Sequence, residues 1–494
     1  MKKQLSLLLF LSLFFISSSY AQNKHEVRAA WLTTAYGLDW PKNRLSNQKG
    51  IEQQKKELIT ILDKLYLANF NTVLFQVRTR GEVFYTSAIE PISRKVCLND
   101  TPQYDPLEFV IQECHKRGME CHAWFVTIPL GQRNRQTITS YQNLFKKQPH
   151  LCVLYQNEYF LNPGHPQTKN YLTNLIKEVL TRYDVDGVHL DYLRYPENSP
   201  NFPDHTEYKK YGKGKSKEEW RRDNITAIVR TIYHDVKQTK PWVKVSSSPV
   251  GKYKNTSRYA SKGWNSFYAV SQDVQLWLQE GIQDQIYPMM YFQGNNFYPF
   301  ALDWLEKSNQ RDIIPGLGIY FLDPSEGNWN IKEIKRQLFF LRKNKFSGAA
   351  HYRVEFLEKN VQGIYTFLQD KFYTHLALQP PMRWLSSEQP KSPVQLKVTN
   401  KNGFFLLNWE QHELPNESYY TYTVYASNET PVDTTNPKNI LATGLRELKY
   451  LHIPHTPWER KKFYAVTAVN RYGIESKPIE QESKQHNVSQ FLQD

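Results

Sequence analysis

Cysteine is scarce in this chain: Cys97, Cys114, Cys121 and Cys152 are the only four among 494 residues. Their spacing matches no zinc site, and positions alone do not give a pairing, so buried thiols and disulfides both stay open. No glycine-rich phosphate loop follows any short apolar run, which argues against the nucleotide-binding open-sheet folds. Ser246-Ser-Ser248 lacks the nucleophile-elbow pattern of serine hydrolases. No run of Lys and Arg interleaved with aromatics resembles a nucleic-acid groove. His189 has no second His or Cys at ligand spacing, so no metal and no other cofactor is expected. The apolar stretch at residues 5–16 is too short to span a bilayer comfortably, which argues against stable membrane insertion.

What is present begins at the N-terminus. Lys2 and Lys3 precede that apolar stretch, and Ser19-Tyr-Ala21 gives it a small-x-small end, the pattern of a signal peptide at residues 1–21 with cleavage before Gln22. No Cys follows Ala21, so the pattern is not that of a lipid-anchored leader. The mature protein is expected in the periplasm or outside the cell. Loss of the two lysines lowers the formal charge from +15 to +13. Such a surface suits anionic polymers and equally serves solubility.

Short apolar runs alternate with longer amphipathic ones, the signature of repeated βα units. Eight strands are expected at 27–33, 72–77, 120–126, 187–190, 244–248, 285–290, 313–319 and 348–352. Helical spacing recurs at 51–68, 105–117, 171–183, 217–237 and 331–343. This predicts an α/β fold, a (β/α)8 TIM barrel over residues 22–385. A Pro- and Ser-rich linker follows at 386–393. Half-buried strands at 394–398, 404–409, 420–426 and 463–469 then predict an all-β, immunoglobulin-like sandwich over 394–483, with a polar tail at 484–494. Trp409 early and the Tyr-rich strands later in this segment resemble a fibronectin type III domain.

In a parallel barrel the chemistry sits at the C-terminal ends of the strands. The segment Asp184-Val-Asp-Gly-Val-His-Leu-Asp-Tyr-Leu-Arg-Tyr-Pro196 delivers Asp191 there, followed by Tyr192 and Arg194. The other strand ends supply Asp39, Trp40, Gln76, Arg78, Glu82, Tyr85, Tyr291, Asp323, His351 and Glu355. Carboxylates, arginines and aromatics on one face suit a sugar, whose apolar faces stack on rings while charged groups hold its hydroxyls. Glycoside hydrolysis needs two carboxyl groups, one to protonate the leaving oxygen and one to attack or to activate water. Asp191 is the first, as nucleophile or base. The second is Glu82 or Glu355, with Asp323 on the seventh loop also a candidate. Arg78 and Arg194 are expected to orient the carboxylates or to bind an anionic sugar, and Trp40, Tyr85, Tyr192 and Tyr291 to stack. His189 shares the inward side with Asp191, as a core or substrate-contacting residue. Asp184, Asp186 and Asp284 precede their strands and read as structural.

The segments Arg28-Ala-Ala-Trp-Leu-Thr-Thr34, Leu38-Asp-Trp-Pro41, Phe75-Gln-Val-Arg-Thr-Arg-Gly-Glu-Val-Phe-Tyr85 and Leu161-Asn-Pro-Gly164 resemble the glycosyl hydrolase-like 10 family of exported bacterial barrels. Residues 184–196 and 348–357 do so as well. The resemblance implies a glycosidase acting on a polysaccharide, with peptidoglycan glycan strands as one substrate class. It also implies a catalytic Asp191, with Asp39, Gln76, Arg78, Glu82, Arg194 and Glu355 lining the site. The chain departs from the family at Asp191-Tyr192, where relatives often carry two acids. It departs again at Pro288-Met-Met-Tyr-Phe292, where they often read Pro-Gln-x-Tyr-Trp. The competing class is a carbohydrate-binding barrel that no longer catalyses. A lyase or transglycosylase would use similar residues.

Overall fold

The computed structural model describes residues 22–98, 101–133, 144–145, 147–197, 199–260, 263–412 and 419–481. The expected leader at 1–21 and the tail at 484–494 lie outside the described residues. The chain divides into two compact units, the first ending at Thr374 and the second beginning at His375. Among the described residues no helix is long and apolar enough to cross a membrane.

In the first unit, strands β1 (Val27–Leu32), β2 (Thr72–Arg78), β3 (Glu120–Val126), β4 (Gly187–Asp191), β5 (Lys244–Ser247) and β6 (Gln285–Ile286) pair in parallel, each with the next. β7 is broken into Asp312–Ile313 and Gly316–Leu317. Its first piece pairs with β6 and its second with β8 (Gly348–His351), which pairs with β1. The two edges of the sheet are therefore halves of one strand, and the sheet closes into a barrel. The break falls at Pro315, which has no N–H for a ladder bond. Gly316 N–H donates to the Pro288 carbonyl at 2.8 Å and stitches the seam. Strands six and seven are thus shorter than the apolar runs suggest, because Pro288 and Pro315 interrupt them.

Connecting helices include α1 (Gln48–Leu67), α2 (Pro106–Lys116), α3 (Gln167–Arg182), α4 (Lys217–Thr239) and, before β8, α5 (Ile331–Lys343). Their starts are set by caps: Asn47 accepts from Gly50 N–H, Asp105 from Leu107 and Glu108 N–H, and Ser216 with Glu219 forms a capping box. The apolar stripes of these helices pack on the outward-facing strand residues in one large core. A smaller cluster of Val27, Ala29, Trp31, Leu74, Trp124, Tyr287, Ile314 and Ala350 fills the barrel interior.

The N-terminal ends of the strands carry buried ion pairs. Glu26 accepts from Arg28 at 3.0 Å and from Arg342 at 2.9 Å. Asp186 accepts from Cys121 N–H and from the His115 ring, both at 2.8 Å; burial pushes its carboxyl up, but His115, the Cys121 N–H and His122 together hold it below the usual range. Asp284 accepts from Val245 N–H and Lys237. All four cysteines are buried thiols outside any disulfide.

The second unit contains a three-stranded sheet and a four-stranded sheet, both antiparallel. The first orders β9 (Val394–Lys401), β10 (Phe404–Glu410) and β13 (Lys449–His452). The second orders β12 (Ile440–Leu445), β11 (Thr421–Ser427), β14 (Phe463–Val469) and β15 (Ile479–Glu480). Leu396, Leu407 and Trp409 from one sheet meet Tyr422, Val424, Tyr464 and Val466 from the other in a shared core. Residues 375–385, expected with the barrel, belong here: Leu378 is buried with Tyr425, Val432, Ile440 and Ala465, and Met382 N–H donates to the Tyr472 carbonyl.

Candidate active site

Asp191 is the last residue of β4, and its carboxyl is buried at the mouth of the barrel. Three donors hold it: Ser248 Oγ–H and Tyr192 N–H bind Oδ1 at 2.9 and 2.8 Å, and Trp124 Nε1–H binds Oδ2 at 3.1 Å. Its backbone carbonyl accepts from Thr127 N–H and Oγ1–H, which ties the ends of β3 and β4 together. Tyr192 adopts a left-handed backbone, φ 51°, rare for a bulky side chain and of the kind that collects at working sites. Burial pushes the Asp191 carboxyl above the usual carboxylate range, while Arg194 and the three donors pull it back only in part.

Around Asp191 opens a cavity of about 300 Å³ lined by Trp31, Tyr36, Gln76, Arg80, Trp124, Tyr192, Ser248, Met289, Tyr291 and Tyr352 among others. Tyr291 stacks on Tyr352 with centroids 5.6 Å apart and stands edge-on to Tyr320 at 5.7 Å. The Gln76 side-chain oxygen accepts from Thr34 and Ala35 N–H at 3.0 and 2.7 Å, fixing the loop after β1 against β2. Arg194 lies between the rings of Tyr192 and Trp264, 4.7 and 4.9 Å from their centroids, and its charge reaches Asp191.

Of the residues singled out from the sequence, Asp191, Gln76, Tyr192 and Tyr291 line this cavity. The others do not. Arg78 is fully buried because Glu90 takes its guanidinium through two bonds of 2.7 Å, and it also binds the Thr127 carbonyl. Trp40 is fully buried, packs on Phe75 and Phe84, and donates its indole N–H to the Gln54 carbonyl at 2.8 Å. Tyr85 is buried edge-on to Tyr183. His189 lies beneath the cavity floor among Trp31, Trp124 and Tyr287. Trp31 N–H donates to its Nε2 at 3.2 Å, and burial keeps the ring neutral. His351 packs edge-on to Phe70 and Tyr373.

The remaining carboxylates are likewise engaged. Asp39 accepts from Thr33 N–H, Glu355 N–H and Arg353, so it fastens the loop after β1 to the loop after β8. Glu355 pairs with Arg353 and Lys359, each at 2.5 Å; burial pushes its carboxyl up, but the two cations outweigh burial and hold it below its ordinary value. Asp323 binds Ser325 N–H and Oγ–H in a surface turn. Glu82 sits in the turn after β2, where its backbone carbonyl accepts from Thr79 N–H. Asp191 is the only carboxylate among the described residues that line the cavity.

Sequence reasoning missed three residues that the geometry brings in. Trp31 and Trp124 are mid-strand aromatics that read as core, yet both reach the cavity. Glu158 belongs to a small antiparallel sheet (Pro129–Gln132, Cys152–Tyr155, Glu158–Leu161) inserted after β3. It pairs with Arg80, which lines the cavity, and its charge reaches Tyr192. Burial holds the Glu158 carboxyl above its ordinary value, with Arg80 pulling the other way. No sequence signal ties residue 158 to a strand end of the barrel.

The model of the family described as Glycosyl hydrolase-like 10 matches residues 26–321. Glycosyl hydrolase YngK of Bacillus subtilis (strain 168) is 31% identical, covering 96% of this chain and 97% of that protein. Glycosyl hydrolase DigH of Escherichia coli (strain K12) is 30% identical over 71% of this chain and 88% of its own length. The solved PgaB (BpsB) glycoside hydrolase domain from Bordetella bronchiseptica superposes with a TM-score of 0.47 at 12% identity, covering 70% of this chain and 99% of that one.

Proposed function

The chain belongs to the glycosyl hydrolase-like 10 family, and from that premise we propose that it is an exported enzyme that hydrolyses glycosidic bonds in a polysaccharide, with cell-wall glycan the substrate to test first. The observation that carries this reading is the buried Asp191 carboxyl, fixed by three donors on the floor of an aromatic-lined cavity. All three partners donate to it, so its working form is the carboxylate, and Asp191 serves as nucleophile or base. A leaving-group acid needs a carboxyl that keeps its proton. Glu355 is held the wrong way by its two cations, whereas Glu158 is pushed the right way by burial. Glu158, paired with Arg80 at the cavity wall, therefore joins Glu82 and Glu355 as a candidate for the acid. The sandwich reads as a fibronectin type III-like module with no chemistry of its own.

The test is mass spectrometry of products from a panel of peptidoglycan, with and without stem peptides, and neutral α- and β-glucans. Wild type is expected to release products. Asp191→Asn should fold normally and lose at least about three orders of magnitude in turnover, since an essential carboxyl is gone. Glu158→Gln should lose turnover on the glycan but retain it on a dinitrophenyl glycoside, whose leaving group needs no proton. A second reading, a barrel that binds glycan without cleaving it, draws on Asp191 being the sole carboxylate among the described residues that line the cavity. Glycan binding with no product from wild type would establish it.

A further inference from the structure

One face of the sandwich exposes apolar side chains that a soluble surface ordinarily covers. Phe404 and Leu406 on β10 are 46% and 39% exposed, and Leu451 and Ile453 on and just after β13 are 50% and 41% exposed. Leu406 stands opposite Leu451 and Phe405 opposite His452, so Phe404 falls beside Ile453. Side chains alternate along a strand and opposed residues share a face, which places all four on the outer side. Leu407, between them in register, turns inward and is fully buried. The third strand completes the face, with Thr399 opposite Leu406 and Lys401 opposite Phe404.

Charge on this face is arranged unevenly. At the apolar end stand Lys401 and Arg460, whose Nη2 lies 3.8 Å from where a Cβ on Gly403 would sit. Lys397 and Lys449 lie farther along, both opposite Asn408 from either side. The only carboxylate on the three strands is Glu410, at the opposite end against Val394. Glu447 is taken up by Lys449 at 3.1 Å, and Glu459 accepts from His455 N–H. Three of the four tips are aliphatic and offer no ring on which a sugar would stack. A plateau of such tips bordered by cations matches a bilayer whose headgroups are anionic, with the tips at the acyl boundary and Lys401 and Arg460 at phosphate level. We propose that this face docks the protein on an anionic lipid surface. The inference is independent of the proposed enzyme activity.

The chain from Gln22 onward is used for the test, so that the apolar residues 5–16 contribute nothing, and is sedimented with phosphatidylcholine vesicles with and without phosphatidylglycerol. Wild type should bind the mixed vesicles, less at high salt, and bind pure phosphatidylcholine far less. Leu406→Ser with Leu451→Ser should weaken binding at least about tenfold, as should Lys401→Glu alone, with melting temperatures unchanged because all three side chains point outward. The proposal is overturned if wild type ignores the mixed vesicles, if it binds neutral ones equally, or if the variants bind as well as wild type. It is also overturned if light scattering finds a dimer that the Leu406→Ser, Leu451→Ser variant dissolves, since a second copy would then occupy the face. Should the double variant unfold, Lys401→Glu still decides.

Discussion

Ser248 shows how much of the site rests on a single hydroxyl. Its Oγ–H donates to Asp191 Oδ1 and favours the charged carboxyl, opposing the burial that favours the neutral one. Ser248→Ala removes that opposition, so the Asp191 carboxyl should rise further and the acid limb of the pH–rate profile should move to higher pH, by up to about one unit. Turnover on the plateau, above the acid limbs of both proteins, should stay close to wild type. A uniform loss at every pH would instead mean that Ser248 only shapes the cavity. Met289 is a second residue with consequences. It lines the cavity, so that wall offers an apolar thioether and no hydrogen-bonding amide.

At the scale of elements, Asp312 at the start of β7 is buried with its Oδ1 accepting from Ser347 Oγ–H at 2.7 Å. Burial lifts its carboxyl to about 6. The folded state thus holds a proton that the unfolded chain releases near the ordinary value of 3.8. Its contribution is favourable below about pH 4 and is lost as pH rises through about 6, because the folded state must then bury a charge. Asp312→Asn keeps an acceptor for Ser347 and should stabilise the barrel by about 1–3 kcal/mol at pH 8 and little at pH 4. Melting curves at the two pH values check it. The elements also show what was legible in the sequence. The eight barrel strands show as apolar runs because both their faces are buried, and the five long helices show in the periodicity because each buries one face, with caps such as Asp105 and Asn330 at the starts. The sandwich strands β12, β13 and β15 were not legible. They are short, half-exposed and carry Lys449 and Glu480, so burial leaves little pattern on them. The site was legible where a strand end delivers a residue, as at Asp191. It was not legible where long-range pairing decides, as when Glu90 claims Arg78 or Arg80 meets Glu158.

At the scale of the whole molecule, the two units hold separate cores, one built on helices packed around a barrel and one on two facing sheets. Trp409 is buried in the second, in contact with Tyr422. Trp409→Ala should cost the sandwich about 3–5 kcal/mol while leaving the barrel's transition in place. Calorimetry should show the smaller transition moving alone, and glycan turnover should not change. The barrel's own closure is more demanding. Val27 pairs with Gly348, whose φ of +152° and close approach to the Val27 carbonyl, 1.9 Å from an added Cβ, admit no other residue without separating β1 from β8. The split β7 joins the remaining edges. The β1–β8 contacts have the highest sequence separation in the unit, so their loop-closure entropy must be met before any reward arrives. A chain growing from its N-terminus therefore carries β1 with an unsatisfied edge until β8 exists. Pairing of β8 with β1 makes assembly a late, concerted event, in which a curled open sheet exposed to misassociation becomes a closed one in a single act of zipping.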